Sequence, residues 1–127
     1  MASNNKPDNR KENVQKLLSD SDVIWREWTN SGLNVNQEFT IDFDFYSAAK
    51  TEVHNFKEFL NDLGYETSLK KVRMMIFFTG WQLQASLNRN WTNEILNENI
   101  IYLGETADKF ETLIEGYGSH IKKLKSA

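Results

Sequence analysis

Two aspartates, Asp42 and Asp44, are spaced so that their side chains fall on one face of a strand. The stretch 37–46, QEFTIDFDFY, alternates apolar and polar residues, which is typical of a strand covered on one face only. At a rise of about 3.4 Å per residue the two carboxylates would lie about 7 Å apart, a separation found in glycoside hydrolases. Catalysis by such a pair also needs one acid held in an apolar pocket. The alternation instead favours a solvated sheet face.

Other residues able to catalyse reactions or to bind metal ions are few. The chain has two histidines, His54 and His120, and no cysteine, which excludes disulfides, thiolate nucleophiles and thiolate metal sites. His54 falls on the polar side of a predicted helix without a partner at metal-ligand spacing, so we expect an exposed histidine. The sequence has no glycine-rich phosphate loop and no HExxH motif. It therefore predicts a protein that is not an enzyme and has no cofactor or metal site.

A basic and aromatic stretch runs from Leu69 to Phe78. Lys70, Lys71 and Arg73 stand beside methionine and phenylalanine residues there. Cations and flat side chains together suit single-stranded nucleic acid, because they bind phosphates and bases respectively. The net charge of −3 disfavours this use, so we do not expect direct nucleic-acid binding. An RNA- or small-ligand-binding module is kept as an alternative.

The stretch from about Arg10 to Asn30 has apolar residues at steps of three and four, which predicts an amphipathic helix. Trp25 and Trp28 lie on its apolar stripe. Large aromatic residues dominate binding energy when an interface desolvates them, so the pair could contact a partner. The favoured interpretation is that the stripe packs against the core of the domain itself.

Length and composition predict one domain. A chain of 127 residues with 39% hydrophobic and 13% aromatic residues has material for a single sizeable core. The polar N-terminus carries no apolar run of the length that a secretory signal or a membrane span needs. We expect a flexible leader over 1–9, one domain over 10–121, a basic tail over 122–127 and a cytoplasmic location.

The periodicities after the first helix predict the order βαββαβ, an α+β domain of the ferredoxin-like type. Its four-stranded antiparallel sheet would carry two helices on one face, and the N-terminal helix would be an addition. The face with Asp42 and Asp44 would be either open or covered by that helix. The predicted elements are a strand over 37–46, a helix over 47–63 with Ser47 as its N-cap, two strands within 65–89 joined by a turn at Thr79-Gly80, a helix from Thr92 and a strand ending near Ile121.

The last predicted strand contains Gly116 and Gly118 on either side of Tyr117. Apolar and polar residues do not separate cleanly between its alternate positions, so either set could face the core. The two glycines indicate a bulge or a close backbone contact. Tyr117 supports only the fold if it is buried, and it is a candidate partner contact if it is exposed.

The sequence LGETADKFETLIEGYGSHI, residues 103–121, resembles the carboxy-terminal signature of the ribonuclease E inhibitor family, regulator of ribonuclease activity B. In that signature, a helix ending in an Ala-Glu-Lys-Phe-like sequence leads to a strand with an Asp-Gly-Trp-Gly-like turn. Residues 107–110 and 115–118 fill those places here. Upstream, residues 39–67 resemble the first strand and helix of the family, including its Leu-Gly-Tyr-Glu exit at 63–66. The likeness spans about 37–121.

The resemblance implies a ferredoxin-like fold and a small non-catalytic protein that binds an endoribonuclease of the ribonuclease E type and restrains RNA decay. Two departures concern the partner: the acidic segments of the family are absent, since the chain ends in Lys122, Lys123 and Lys125, and Tyr117 stands where tryptophan is usual. A bacterial interaction or immunity domain with another protein partner is a further alternative. The candidate partner-binding residues are Trp25, Trp28, Asp42, Asp44, Gly116, Tyr117 and Gly118.

Overall fold

The computed structural model describes residues 5–75 and 78–119, and within these ranges the chain forms three helices and one four-stranded sheet. After the first helix, the elements follow the predicted order strand, helix, strand, strand, helix, strand. They are α1 (Asn5–Asn30), β1 (Phe39–Ser47), α2 (Lys50–Asp62), β2 (Glu66–Met75), β3 (Phe78–Arg89), α3 (Asn93–Lys109) and β4 (Leu113–Ser119).

The strands lie in the order β2-β3-β1-β4, and every neighbouring pair is antiparallel. Strand β1 is therefore central. It pairs with β3 along its whole length, from Phe39 opposite Arg89 to Ser47 opposite Trp81. Because residues opposite each other in antiparallel strands point to the same side, this register fixes which side chains share a face.

The core lies on the face of the sheet that carries the helices. The odd-numbered residues of β1 are buried there, as its alternation predicts. The rings of Phe45 on β1 and Phe56 on α2 meet edge to face with centroids 5.1 Å apart, so this helix is held against the central strand. The core residues of β1, α2 and α3 include Phe39, Ile41, Phe43, Phe45, Val53, Phe56, Leu60, Leu96, Ile100 and Leu103.

Helix α1 lies on the same face as the other two helices. Its apolar stripe packs inward, which confirms the favoured interpretation of the pattern. A Cβ atom placed on Gly104 of α3 would lie 2.4 Å from Cγ2 of Val14, so the glycine lets α1 approach α3 closely. The amide of Asn13 also donates a hydrogen bond to the carbonyl of Ile114 at the edge of the sheet. These contacts join α1 to both α3 and β4.

The opposite face of the sheet carries no helix in the part of the chain that the structure describes. Here called the open face, it is formed by the outward side chains of the four strands, and of the two alternatives left by the sequence, the uncovered one is correct. Its central residues are half-buried or exposed: Asp42, Asp44, Gln82, Gln84 and Ser86.

Two predicted helix boundaries have different outcomes. Thr92 is the N-cap of α3, where its hydroxyl oxygen accepts a hydrogen bond of 3.0 Å from the backbone N–H of Ile95. Ser47 is not the N-cap of α2: it is the last residue of β1, and Ala49 holds the N-cap position. The Ser47 hydroxyl instead donates to the carbonyl of Glu111 at 2.9 Å, a long-range contact that sequence spacing does not indicate.

The predicted turn at Thr79-Gly80 is wrong. Both residues are part of β3 and pair with Arg73 and Val72 of β2, and the pairing continues to Met75 opposite Phe78. Glycine is needed at position 80 for another reason. A Cβ atom there would lie 2.3 Å from the ring of Tyr46, which covers the backbone of this residue.

Helix α1 begins at Asn5, earlier than the predicted start near Arg10. Pro7 is the third residue of the described range of α1. Residues 1–4 of the predicted leader, Phe77, His120, Ile121 and the basic tail lie outside the described residues. Among those that are described, no helix is both long enough and apolar enough to span a membrane.

Candidate protein-interaction site

The seven candidate partner-binding residues divide between the two faces of the sheet. Register determines the division: Tyr117 lies opposite Phe43, whereas Gly116 and Gly118 lie opposite Asp44 and Asp42. The members on the side of the helices are Trp25, Trp28 and Tyr117, and those on the open face are Asp42, Asp44, Gly116 and Gly118.

The three aromatic candidates belong to one cluster between α1 and the sheet. The ring of Trp28 meets that of Tyr117 edge to face with centroids 5.9 Å apart, and Trp25 lies 5.9 Å from Trp28. Tyr117 also contacts Phe43, with 6.1 Å between the ring centroids. Trp28 is only 8% exposed. This geometry holds α1 on the sheet, and a partner would have to displace the helix to reach the ring of Trp28.

Tyr117 is half-buried, and its hydroxyl lies in the covered part of the residue. Among the described residues this oxygen is buried and has no hydrogen-bond partner. Burial, together with the negative charge of Asp20, raises the pKa of Tyr117 to about 12, because the phenolate would be poorly solvated there. The ring of Tyr117 therefore contributes to the aromatic cluster, and because the residue is only half-buried, its role as a partner contact stays a prediction.

Asp42 and Asp44 project from the centre of the open face. Asp44 accepts a hydrogen bond of 3.0 Å from the amide of Gln84, and Asp42 accepts one from the hydroxyl of Ser86. Both donors are neutral and come from β3, the neighbouring strand. The two carboxylates lie on a solvated surface rather than in an apolar pocket, so their arrangement suits the binding of cationic groups better than proton transfer.

Strand β4 borders these carboxylates and contains a bulge. Pairing runs from Gly116 opposite Asp44 directly to Ile114 opposite Phe45, so Glu115 has no residue opposite it. The extra residue explains why the sequence shows no clean alternation: it lets both Ile114 and Tyr117 point towards the helices. The predicted bulge is confirmed.

A shallow depression of about 500 Å³ lies between the bulge and the centre of the open face. The carboxylates of Asp44 and Glu115 both line it. Partial burial and the like charge of Asp44 raise the pKa of Glu115, since the charged form is less well solvated and is repelled by its neighbour. The other residues that line the depression include Ser68, Lys70, Gln82, Gln84 and Gly116.

Glu115 and Glu66 are acidic residues of the open face that sequence reasoning missed. Glu66 pairs with Ser86, which in turn pairs with Asp42, so these three side chains form one row across the sheet. Alternation within β2 does not show which of its two sides is the open face. Only the register with β3 places Glu66 on the open face. The position of Glu115 depends on the bulge, and the glycines on either side of Tyr117 were the only signal for it.

The basic stretch does not form one patch. Lys70 pairs with Gln82 and points to the open face, whereas Lys71 and Arg73 pair with Trp81 and Thr79 and point to the other side. A single strand of nucleic acid would therefore not meet all three cations on one surface. The side chains of the stretch from 74 to 78 lie outside this description.

His54 is exposed, as predicted, and its Nδ1 lies 2.7 Å from the carbonyl of Lys50. Its ring packs edge to face on Trp81, with centroids 5.3 Å apart. In the described part of the chain, no three His, Asp or Glu side chains are grouped so that they could hold a metal ion.

Most of the sequence matches one known protein family. The family model described as regulator of ribonuclease activity B, RraB, matches residues 19–119. The chain belongs to the RraB family. The match begins within α1 and ends with β4, so it includes the second half of the first helix. The resemblance seen at 103–121 is thereby confirmed.

Members of the RraB family regulate ribonuclease activity and are not catalysts. Family membership thus links the chain to RNA degradation through a protein partner. No individual curated protein matches the sequence.

Proposed function

We propose that this chain is a non-catalytic regulator that binds an endoribonuclease of the ribonuclease E type and thereby restrains RNA decay. The observation that carries the proposal is the RraB match over residues 19–119, which covers almost all of the described domain. A protein with this role acts by occupying a surface of its partner, so it needs an accessible binding face rather than a reactive group. The proposal implies a cytoplasmic location.

We also assign the domain to the ferredoxin-like class. The order βαββαβ supports this assignment. So does the strand order β2-β3-β1-β4, in which the first and third strands are central and the second and fourth lie at the edges. The assignment describes the scaffold alone, because one fold hosts many functions.

Within the proposed role, the four candidates on the open face are the ones available to a partner. Asp42 and Asp44 offer carboxylates. The positions opposite them on β4 are Gly118 and Gly116, which have no side chain to cover the surface. Trp25, Trp28 and Tyr117 would contribute indirectly, by holding α1 in place.

The test is recovery of the partner together with a direct assay of its activity. Tagged chain is incubated with bacterial lysate, and the captured proteins are identified by mass spectrometry. Purified ribonuclease E is then assayed on a fluorescent single-stranded RNA with and without excess chain. We expect capture of the ribonuclease or of a degradosome component, and slower cleavage when the chain is present.

Two results would count against this function. One is capture of no ribonuclease component together with an unchanged cleavage rate. The other is direct binding of the RNA by the chain, measured by gel shift at two salt concentrations, because phosphate contacts weaken with salt. The second result would favour the RNA-binding alternative, in which the chain protects RNA without contacting the enzyme.

A further inference from the structure

The glycines of β4 are not explained by the fold. Neither Gly116 nor Gly118 has a positive φ, and a Cβ atom on either would have nothing within 4 Å. Glycine inside a strand weakens it, because the residue loses more conformational freedom on folding and has no side chain to pack. Gly116 adjoins the bulge, but Gly118 does not. A strand position of this kind is typical of a place where another backbone or a ligand approaches closely.

This glycine strip borders a surface of one predominant charge. Asp42 and Asp44 lie opposite the glycines on the neighbouring strand, Glu115 projects from the bulge, and Glu66 ends the row that contains Asp42. Lys70 is the only basic side chain on the open face in the described residues. Such a surface repels the phosphates of RNA and attracts a cationic segment of a protein.

The depression beside the strip is lined by two of these carboxylates and, on the side of β2, by Lys70. Asp44 and Glu115 line it together, and the like charge of Asp44 contributes to the raised pKa of Glu115. A guanidinium or ammonium group placed between the two would relieve this repulsion and would favour the charged form of both carboxylates. The amides of Gln82 and Gln84 line the same depression and add further hydrogen-bonding groups.

The dimensions of the face fit a short extended peptide. Along β1, the four residue steps from Asp42 to Tyr46 span about 14 Å at about 3.4 Å per residue, and about five extended residues would cover that length. One end of the face is less polar, since Tyr46 and Leu113 lie opposite each other there and both are half-buried. The face is therefore acidic towards Asp42 and partly apolar towards Tyr46.

Building on the proposed function, we propose that the open face is the docking surface for an extended, arginine- or lysine-rich segment of the protein partner. One cationic side chain of that segment sits between Asp44 and Glu115. The backbone of the segment runs close to β4 over Gly116 and Gly118, and an apolar residue of the segment contacts Tyr46.

The experiment uses the full chain and two probes, purified ribonuclease E and a fluorescent arginine-rich peptide. The first variant, Asp44→Asn with Glu115→Gln, removes two charges from the depression and keeps the hydrogen-bonding shape. The matched control, Glu98→Gln with Glu105→Gln, removes the same number of charges from exposed positions on α3, on the other side of the sheet. A third variant, Gly118→Val, keeps every charge and places a β-branched side chain, which suits a strand, on the glycine strip.

We expect the depression variant to bind both probes about tenfold more weakly, since charge pairs at interfaces contribute on this scale. Its affinity should also depend less on salt than that of the wild type. Gly118→Val should weaken binding, because the valine side chain would stand where the peptide backbone runs. The stability of this variant in urea unfolding should equal that of the wild type. The control pair should bind as the wild type does.

Equal weakening by the control pair would overturn the proposal, since net charge alone would then explain binding. So would unchanged ribonuclease binding by both open-face variants, and that result would leave the proposed function intact. The wild type could also fail to bind ribonuclease E while its peptide binding is still weakened by the depression variant. That result would reject ribonuclease E as the partner and would retain the docking surface. Preference for single-stranded RNA over the peptide would overturn the docking surface itself.

Discussion

Phe43 and Asp44 are neighbours on the central strand, yet they meet opposite environments. Phe43 has no exposed surface and lies on the side of the helices, where its ring contacts those of Tyr117 and Trp91. Asp44 is on the open face, where it accepts a hydrogen bond from the amide of Gln84 on β3. One residue step along the chain thus separates the side of the sheet that stabilises the domain from the side left accessible to a partner.

The comparison shows why the two sides tolerate different changes. On the helix side, aromatic rings interlock at centroid distances of 5.1 to 6.1 Å, so removing atoms leaves cavities. On the open face, side chains end in solvent and the neighbouring strand carries glycines. Substitutions there can change charge and shape without disturbing the core, as the proposed docking surface requires.

The largest expected difference between the two sides comes from Phe43→Ala and Asp44→Asn. We expect Phe43→Ala to lower the free energy of unfolding by about 3–5 kcal/mol, through lost burial and a cavity at the centre of the sheet. Asp44→Asn should change it by less than about 0.5 kcal/mol, as surface substitutions usually do. Urea unfolding followed by circular dichroism measures both.

Phe43→Leu is the milder variant to use if Phe43→Ala does not fold, and it should still cost more than Asp44→Asn. Comparable losses from Phe43→Leu and Asp44→Asn would break the division between a stabilising side and an accessible side.

A smaller contrast is expected between two glycines. Gly104→Ala forces a methyl group against Val14 of α1, so the helix must shift, and we expect a loss of about 1–3 kcal/mol. Gly116→Ala adds the same methyl group in open space at a backbone φ that alanine adopts, and the change should stay within about 0.5 kcal/mol. The urea midpoints of the two variants measure the difference. An equal loss of stability in the two variants would mean that the fold itself requires glycine at position 116, beside Asp44.

The sequence predicts the elements of both sides well, because periodicity records which residues face the core. The alternation in β1 and the helical stripes in α1 and α2 are examples, and the Thr92 cap was also recognisable from residue type and position. The order of the elements then restricted the possible sheets to very few. Even the close approach at Gly104 had a signal, since a glycine inside a helix suggests that a neighbour is near.

Long-range pairing is what the sequence does not record. The Thr79-Gly80 dipeptide has turn chemistry, but both residues pair with β2 as part of β3, and the ring of Tyr46 lies where a side chain at position 80 would begin. Ser47 resembles an N-cap but donates to the carbonyl of Glu111, 64 residues away. The acidic open face depends on strand register and on the bulge at Glu115, so it could not be assembled from spacing alone.

The smallest expected effect concerns Tyr117 and appears only at alkaline pH. The folded protein holds the pKa of Tyr117 at about 12, above the ordinary tyrosine value near 10, so unfolding releases its proton more readily in this range. The stabilisation from this protonated ring is complete below about pH 10 and is lost as the pH rises towards about 12. Tyr117→Phe should therefore lose less stability than the wild type across this window. Burial also raises the pKa of Tyr65, so part of the alkaline dependence should persist in the variant.

At neutral pH, Tyr117→Phe should be nearly neutral, because the hydroxyl that it removes is buried and has no hydrogen-bond partner among the described residues. The measurement is urea unfolding at several pH values, with tyrosinate absorbance of the folded protein as an independent titration. Identical pH profiles for the variant and the wild type would show that Tyr117 is as accessible to water as an unfolded tyrosine. Tyr117 would then return to the list of partner contacts, and the boundary between the two sides of the sheet would have to be drawn again at β4.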